Sequence, residues 1–384
     1  MTIEAVDPSA RGFRTGRRDD AVGSLGVIGR LDWVLLAATC GTVFYGLIAI
    51  GGITLHDPGG SATNRQALYV AAGSILFVAA ILIDPRFYRR FSRTIYVALI
   101  AVMAFVLVFG AATRGSKRWI NIGFFTFQPS EFGKVLLAIV LAAFLANHAK
   151  QIDRIDVPLR TIALAAVPVL LVFAQPDAGT ALVYTAVVAA VLFVAGIRWL
   201  HLILITVTGV VAVLAVLVWL PDLGVQVLKP YQTARLSNTN SYNLTESKIA
   251  IGSGGVNGRG VNGATQTALD YLPAHDNDFA FASLAEQRGF LGVSVLLLLY
   301  LLIVWRGLKI VTTAPDLFGA IVAAGIVFAL LFQVFVNVGM TMGIAPITGI
   351  TLPFVSVGGS SMISNLAGIG VLLSIHARGG RRRS

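Results

Sequence analysis

The chain has 384 residues, of which 56 % are hydrophobic and 12 % are charged, and its mean hydropathy is +0.82. A soluble domain carries about a quarter charged residues, so this composition excludes an ordinary soluble enzyme and indicates a polytopic membrane protein. The formal net charge of +11 does not indicate nucleic-acid binding, because the basic residues fall in short segments between apolar runs. The single cysteine, Cys40, excludes an intramolecular disulfide.

Ten apolar runs follow the basic segment 1–31, and most have the length of roughly 20 residues that crosses a hydrocarbon core. In chain order they cover 33–54, 66–83, 95–112, 129–147, 161–175, 178–197, 199–220, 282–305, 318–343 and 358–376. We therefore predict an all-α, polytopic integral membrane protein with about ten transmembrane helices. The membrane domain is expected at 32–377, a long loop at about 221–281, and basic tails at 1–31 and 378–384. No cleaved signal peptide is expected, because the first run is too long for one.

Lysine and arginine are concentrated in alternate connections between the apolar runs and in the C-terminal stretch HARGGRRRS. By the positive-inside rule, these connections and both termini are predicted to be cytoplasmic, and the loop at 221–281 is predicted to lie outside. The outer connections nevertheless contain basic residues, which the rule disfavours there. They are Arg114, Lys117, Arg118, Lys229, Arg235, Lys248 and Arg259. These residues indicate either an anionic partner outside the membrane or contact with lipid headgroups.

Three charged residues stand inside or at the start of apolar runs. Glu131 and Lys134, in FQPSEFGKVLL, are three residues apart, so on a helix they share one face and can pair. Pairing lowers the cost of a charge in the membrane, and we favour a structural ion pair over direct chemistry. Asp177 follows a proline and begins a run, where it can cap a helix or belong to an active site; the pattern leaves both roles open.

The remaining motifs exclude several kinds of chemistry. The glycine-rich stretch SKIAIGSGGVNGRGVNGATQT lacks the Gly-Lys-Ser/Thr ending of a P-loop, so it indicates a turn-rich loop or a nonspecific pyrophosphate cradle. The five histidines lack zinc-site spacing, and GGSS lacks the Gly-x-Ser-x-Gly pattern. What remains is a carboxylate before an apolar run, Asp276 or Asp278, near cations able to hold phosphate. That combination suits transfer from a phosphorylated donor.

Four blocks of the sequence together resemble one family. They are RGSKRWINIGFFTFQPSEFGKVLLA, QPDAGTAL, ESKIAIGSGGVNGRGVNGATQTALDYLPAHDNDFAFASLAEQRGFLG and GMTMGIAPITGITLPFVSVGGSSMISNLAGIGVLLSI. They are similar to the SEDS family (shape, elongation, division and sporulation), the polytopic peptidoglycan polymerases. LKPYQTARL, SKIAIGSGG and GATQTALDYLP resemble its elongation branch, RodA, more than its division branch, FtsW. The resemblance implies glycosyl transfer from lipid II, the undecaprenyl-pyrophosphate disaccharide-pentapeptide, and a class B penicillin-binding protein as transpeptidase partner.

The resemblance places the family's essential aspartate at Asp278, followed by Phe279, in a pattern like Leu-Pro-Glu-x-x-Thr-Asp-Phe. The chain departs from the family at four nearby positions. They are Ala274 in place of Glu, Asp276 where His is frequent, Asn277 in place of Thr, and Gln287 in place of the second acid of a Glu-Glu pair. Asp276 and Asn277 are expected to cap the following helix. Glu131, Lys134 and Asp177 also fall on family positions, which favours a cavity role for each.

We therefore predict a glycosyltransferase of the bacterial cytoplasmic membrane. Asp278 acts as general base on the acceptor's sugar 4-hydroxyl, or alternatively as a ligand of a divalent cation such as Mg or Mn; the sequence does not separate these roles. The departing polyprenyl pyrophosphate is held by outer cations, namely Arg114, Lys117, Arg118, Arg235 and Lys248. The expected partners are lipid II, undecaprenyl pyrophosphate, the penicillin-binding protein and membrane lipids, without nucleic acid. Two other functions stay open: a lipid II flippase, and a scaffold that activates the penicillin-binding protein.

Overall fold

The computed structural model of the chain describes residues 29–55, 62–113, 116–122, 125–204 and 242–379, with Gly26 and Val207 as isolated positions. The helices are α1 (Trp33–Ile53), α2 (Ala62–Leu82), α3 (Pro85–Arg90), α4 (Ser92–Phe109), α5 (Pro129–Asn147), α6 (Asp156–Ala174), α7 (Ala178–Val194), α8 (Tyr242–Gly254), α9 (Thr265–Ala268), α10 (Ala280–Thr313), α11 (Leu317–Met342) and α12 (Gly359–Gly379). The strands are β1 (Ala111–Thr113), β2 (Ser116–Ile122) and β3 (Phe125–Phe127), and a 3-10 turn covers Ala149–Gln151.

The prediction of a helical, polytopic membrane protein is confirmed. Within the described ranges, eight helices are long and apolar enough to cross a membrane: α1, α2, α4, α5, α6, α10, α11 and α12. The shorter apolar helix α7, of 17 residues, corresponds to the predicted run 178–197. The remaining predicted run, 199–220, lies largely outside the described residues.

A small antiparallel sheet between α4 and α5 was not predicted. Its strands follow one another in the order β1, β2, β3, and β2 pairs with β3 through Ile120 opposite Phe127. The sheet begins two residues after α4 ends and ends two residues before α5 starts, so it connects two helices that pack on each other. Short strands of this kind give a weak sequence signal beside long apolar runs.

The core of the bundle lies among α5, α11 and α12, which are the most buried of the long helices, whereas α2 and α4 bury the smallest share of their residues. Helices α2 and α12 approach each other closely because glycines lie between them. A β-carbon at Gly73 would stand 2.6 Å from a methyl carbon of Leu366, and one at Gly370 would stand 2.6 Å from the carbonyl oxygen of Phe77. Small residues at helix contacts allow such close packing in membranes.

Helix α10 is interrupted at Gly289, whose backbone adopts φ 64° and ψ −167°. The break admits the glycine-rich stretch after α8: a β-carbon at Gly289 would stand 2.2 Å from the amide nitrogen of Gly258. Phe290 N–H donates to Gly255 O at 2.9 Å, so the stretch is joined to α10 by backbone hydrogen bonds. The described part of the region expected to be a long loop, 242–279, therefore contains two helices and is packed against α10.

Candidate functional site

Asp278 lies in a series of turns that joins α9 to α10. Ala274 adopts a left-handed backbone conformation with φ 53°, and its carbonyl accepts the N–H groups of Asn277 at 3.1 Å and Phe279 at 3.2 Å. Phe279 is 2 % exposed and packs in a small apolar cluster with Ala250, Leu272 and Ala282. Asp278, the residue before it, is only partly buried. The apolar cluster thus fixes the turn while leaving the aspartate at its surface.

Three consecutive carbonyl groups of this turn accept hydrogen bonds from α11 and from the segment after it. The Asp276 carbonyl accepts Val357 N–H at 2.9 Å. The Asn277 carbonyl accepts the Ser356 hydroxyl at 2.6 Å. The Asp278 carbonyl accepts the Asn337 side-chain amide at 3.0 Å. Elements far apart in sequence therefore hold the backbone on which the Asp278 carboxylate stands.

The expectation that Asp276 and Asn277 cap α10 is wrong. The N-cap residue of α10 is Phe279, whose side chain makes no capping hydrogen bond, and the helix begins at Ala280. Asn277 contributes its backbone carbonyl, which receives Ala280 N–H at 3.5 Å. The physical reason is that the two residues lie in a turn whose backbone is already held from outside, two or more residues before the N-cap position.

Glu131 and Lys134 form an ion pair in the first turns of α5. The Lys134 Nζ lies 2.6 Å from Glu131 Oε2, and the side chains are 3 % and 10 % exposed, respectively. The pairing expected from their spacing is therefore present. Lys134 also borders, together with Asn365 and Ile326, a small cavity between α5, α11 and α12.

Asp177 is the N-cap residue of α7, and its carboxylate accepts the N–H of Thr180 at 3.3 Å and the Thr180 hydroxyl at 2.9 Å. The Gln128 side-chain amide donates to it at 2.8 Å. Arg118 Nη1 lies 3.2 Å from the same carboxylate, and the guanidinium stacks 4.3 Å from the ring of Trp119. Asp177 is 3 % exposed, so a buried carboxylate joins β2, the start of α5 and α7.

The two predicted pyrophosphate-binding cations whose side chains the structure describes, Arg118 and Lys248, lie on different elements. Arg118 is on β2 and is paired with Asp177. Lys248 is exposed on α8, and its side chain lies against Gly343, the left-handed C-cap of α11. A cation is favourable beside a helix C-terminus. Two of the remaining three, Arg114 and Arg235, lie outside the described residues, and Lys117 is on β2 with its side chain outside the described part.

Sequence reasoning missed Glu286, which is fully buried in the first segment of α10. Its carboxylate accepts the N–H groups of Gln266 at 2.9 Å and Thr267 at 3.0 Å, and the Thr267 hydroxyl at 2.7 Å. These bonds tie the short helix α9 to α10. The signal was present in the sequence, since Glu286 directly precedes Gln287 at the position of the family's Glu-Glu pair.

A family model of cell cycle proteins, covering FtsW, RodA and SpoVE, matches residues 30–380. The chain is 36 % identical over 359 residues to the peptidoglycan glycosyltransferase MrdB of Escherichia coli K12, covering 90 % of this chain and 93 % of MrdB. It is 33 % identical over 356 residues to the stage V sporulation protein E of Bacillus subtilis 168, covering 89 % of this chain and 94 % of that protein.

Solved structures show the same architecture. One belongs to a study of the structural coordination of polymerization and crosslinking by a peptidoglycan synthase complex; its chain superposes with a TM-score of 0.75 at 30 % identity, over 91 % of this chain and 99 % of that one. The rod shape determining protein RodA of Thermus thermophilus superposes with a TM-score of 0.66 at 28 % identity, over 90 % and 96 % of the two chains. The protein described here therefore belongs to the FtsW/RodA/SpoVE family, the SEDS family that its motifs resemble.

Proposed function

We propose that this protein is a peptidoglycan glycosyltransferase that polymerises lipid II for cell elongation and shape. The observation that carries the proposal is Asp278, a partly exposed carboxylate on a turn that three external hydrogen bonds hold. A fixed carboxylate at the end of an apolar helix can meet a lipid-linked sugar at the membrane surface. The names of relatives such as E. coli MrdB support the same activity.

In the proposed reaction, the 4-hydroxyl oxygen of the acceptor sugar attacks the anomeric carbon of the donor sugar. The bond from that carbon to the polyprenyl pyrophosphate breaks, and the electron pair leaves with the pyrophosphate. Asp278 accepts the hydroxyl proton as general base, which lowers the barrier to attack. Lys248 and the sequence-based candidates Arg114, Lys117 and Arg235 stabilise the charge of the leaving group.

A second role for Asp278 is ligation of a divalent cation. Among the residues that the structure describes, no group of three or more His, Cys, Asp or Glu side chains could hold a metal ion. Mg²⁺ is commonly bound by one or two carboxylates together with substrate phosphates, so Asp278 and the donor pyrophosphate would hold it jointly. The cation would then supply charge stabilisation to the leaving group.

The proposal includes a partner and an orientation. A class B penicillin-binding protein would crosslink the strands that this protein polymerises; the similarity to a chain of a peptidoglycan synthase complex supports this. The basic residues of alternate connections support a protein of the bacterial cytoplasmic membrane with both termini in the cytoplasm. Lipid II and undecaprenyl pyrophosphate would meet the enzyme on the outer side.

The test is glycan-chain formation from purified lipid II by the purified protein, alone and with its partner. Asp278→Asn keeps the size of the side chain and removes the charge and the proton-accepting capacity. We expect wild-type membrane levels, wild-type thermal unfolding and a polymerisation rate lower by about 10²–10⁴-fold. Wild-type polymerisation by this variant would remove Asp278 from the mechanism.

Asp276→Asn is the matched control, because it makes the same chemical change two residues earlier on the same turn. It should retain most of the polymerisation rate. Lipid II flipping into vesicles, measured with the same preparations, separates the enzyme from a carrier. Retained flipping without polymerisation by the wild-type protein would favour the flippase.

The orientation is tested by cysteine labelling in intact cells, after Cys40 has been replaced. Cysteines placed at Asn240 and at Ser384, both outside the described residues, should differ in their reaction with a membrane-impermeant thiol reagent. Labelling at Asn240 and protection at Ser384 is the expected result. Equal labelling at both positions would contradict the proposed arrangement of the spans.

A further inference from the structure

Two buried side chains from elsewhere in the chain help to hold the turn that carries Asp278. Asn337, on α11, is fully buried and donates both to the Asp278 carbonyl at 3.0 Å and to the Ile350 carbonyl at 2.7 Å. One amide group thereby joins the turn to the segment that follows α11. Asn337 is 59 residues from Asp278 in sequence, so this contact is a product of the fold.

Ser356 makes the second connection. Its hydroxyl donates to the Asn277 carbonyl at 2.6 Å and accepts the N–H of Leu352 at 2.9 Å. The hydroxyl therefore makes both a donor and an acceptor bond within the protein, and Ser356 is 3 % exposed. A group with both a donor and an acceptor bond in fixed directions defines the position of the carbonyl that it contacts.

The segment that carries Ser356 is itself held by other helices. Gln66 of α2 is fully buried; its amide donates to the Ser356 carbonyl at 3.1 Å, and its oxygen accepts Gly358 N–H at 3.3 Å. The Tyr300 hydroxyl of α10 donates to the Pro353 carbonyl. Helices α2 and α10 thus hold the segment that contacts the Asp278 turn.

We infer that Asn337 and Ser356 are positioning residues for the glycosyl transfer, acting through the backbone of the Asp278 turn. They hold the carbonyls of the two peptide units that flank the Asp278 α-carbon, and so determine the place and direction of the carboxylate. This inference rests on the proposed function, because it takes Asp278 as the group that acts on substrate. Its physical basis is that small displacements of a catalytic group lower the rate strongly.

The main test is Ser356→Ala, which removes one hydroxyl and leaves the methylene. With the purified protein and lipid II, we expect kcat for polymerisation to fall by about 10-fold while KM stays within about twofold, because positioning acts in the transition state. Ser356→Thr retains the hydroxyl and should restore most of kcat. Asn337→Leu, of similar size, should lower kcat by about 10–100-fold.

Ser247→Ala is the matched control. Ser247 is a fully buried serine whose hydroxyl donates to the Thr341 carbonyl at 2.8 Å, joining α8 to α11 without contacting residues 276–278 through that bond. It should reduce thermal stability by about as much as Ser356→Ala and leave kcat unchanged. A loss of kcat in Ser247→Ala equal to that in Ser356→Ala would assign both effects to weakened folding and overturn the inference.

A double-mutant cycle identifies the group through which Ser356 acts. If Ser356 positions Asp278, Ser356→Ala should cost no further activity in the Asp278→Asn background, measured at raised enzyme concentration. The same fold-loss in both backgrounds would overturn the inference, as would wild-type kcat in folded Ser356→Ala and Asn337→Leu. These failures leave the proposed function intact provided that Asp278→Asn polymerises at the strongly reduced rate expected of it, whereas an Asp278→Asn variant with the wild-type rate rejects the catalytic assignment itself.

Discussion

Aspartates next to helix starts are used in two different ways in this molecule. At four of the described helices the N-cap residue is an aspartate whose carboxylate accepts a backbone N–H of the first turn. They are Asp32 of α1, Asp84 of α3, Asp177 of α7 and Asp316 of α11. At α10 the N-cap is instead Phe279, and Asp278 lies one residue before it.

Three of these four capping aspartates also lie beside an arginine. Asp32 lies 2.5 Å from Arg306, Asp177 lies 3.2 Å from Arg118, and Asp84 lies 3.5 Å from Arg378. At Asp278, external hydrogen bonds hold the backbone carbonyls of the turn, and the residue is partly exposed. Under the proposed function, the capping acids stabilise the fold, and Asp278 is held in place for chemistry. Replacing a structural acid should lower stability, and replacing Asp278 should lower the rate.

The largest loss of stability is expected on replacing Glu131. Unlike the capping aspartates, this acid lies within a helix. Glu131→Ala leaves the buried Lys134 without its partner at 2.6 Å, at a cost of roughly 3 kcal/mol in the free energy of unfolding. The variant should be scarce in membranes and should unfold at lower temperature in detergent. The double variant Glu131→Gln with Lys134→Met removes both charges and should recover much of the loss.

A different outcome at Glu131 would change its assignment. If Glu131→Ala is as abundant and as thermally stable as the wild-type protein but does not polymerise lipid II, the pair is not structural. Glu131 would then join Asp278 as a group that acts in polymerisation, and it would no longer count among the acids that stabilise the fold.

A smaller loss is expected at Asp32, whose partner Arg306 is 15 % exposed at its side chain. Asp32→Asn keeps a side chain that can accept Leu35 N–H and removes the charge, so it should cost about 2 kcal/mol. Burial of Asp32 opposes its charged form. Hydrogen bonds from Arg306 and Leu35, with the charge of Arg306, outweigh burial and lower the pKa of the Asp32 carboxyl below its ordinary value.

The lowered pKa of Asp32 determines how the stability of the fold depends on pH. Because the folded pKa lies below the unfolded one, charged Asp32 stabilises the fold above about pH 4, and this stabilisation is lost as the pH falls through the lowered folded pKa. The difference in thermal unfolding between the wild-type protein and Asp32→Asn should therefore be constant near neutrality and shrink below about pH 4. A difference that persists unchanged at lower pH would show that the pair does not depend on the charge of Asp32.

Contacts within a few residues of each other were predictable from the sequence. The apolar runs predicted the long helices, because a segment that crosses lipid must hydrogen-bond its backbone groups internally and needs a minimum length. The spacing of Glu131 and Lys134 gave their ion pair. The place of Asp177 between a proline and an apolar run allowed its cap on α7.

Contacts that depend on the tertiary fold were not predictable. The capping role expected for Asn277 failed because Ser356, 79 residues away, and Asn337 hold this turn in place before the helix begins. Glu286 is similar: a fully buried acid in an apolar helix needs donors, but its sequence neighbours do not identify Thr267 as one of them. The number of glycines in the sequence also did not predict the role of Gly289, which lets the glycine-rich stretch after α8 approach the break in α10.

The smallest effect is expected at Asp316, which caps α11 with a single bond to Gly319 N–H at 2.8 Å. Asp316→Ala removes this bond and should lower the free energy of unfolding by about 1 kcal/mol, whereas Asp316→Asn, which caps as well as aspartate, should lower it by much less. Thermal unfolding of the two variants in detergent measures the difference. Polymerisation per folded molecule should be unchanged in both variants. Asp316 lies at the N-terminal end of α11, whereas Asn337, which contacts the Asp278 turn, lies near the C-terminal end. If Asp316→Ala instead lowers kcat as strongly as Asn337→Leu at equal folded protein, then α11 transmits disturbances along its length, and the separation between capping aspartates and Asp278 does not hold.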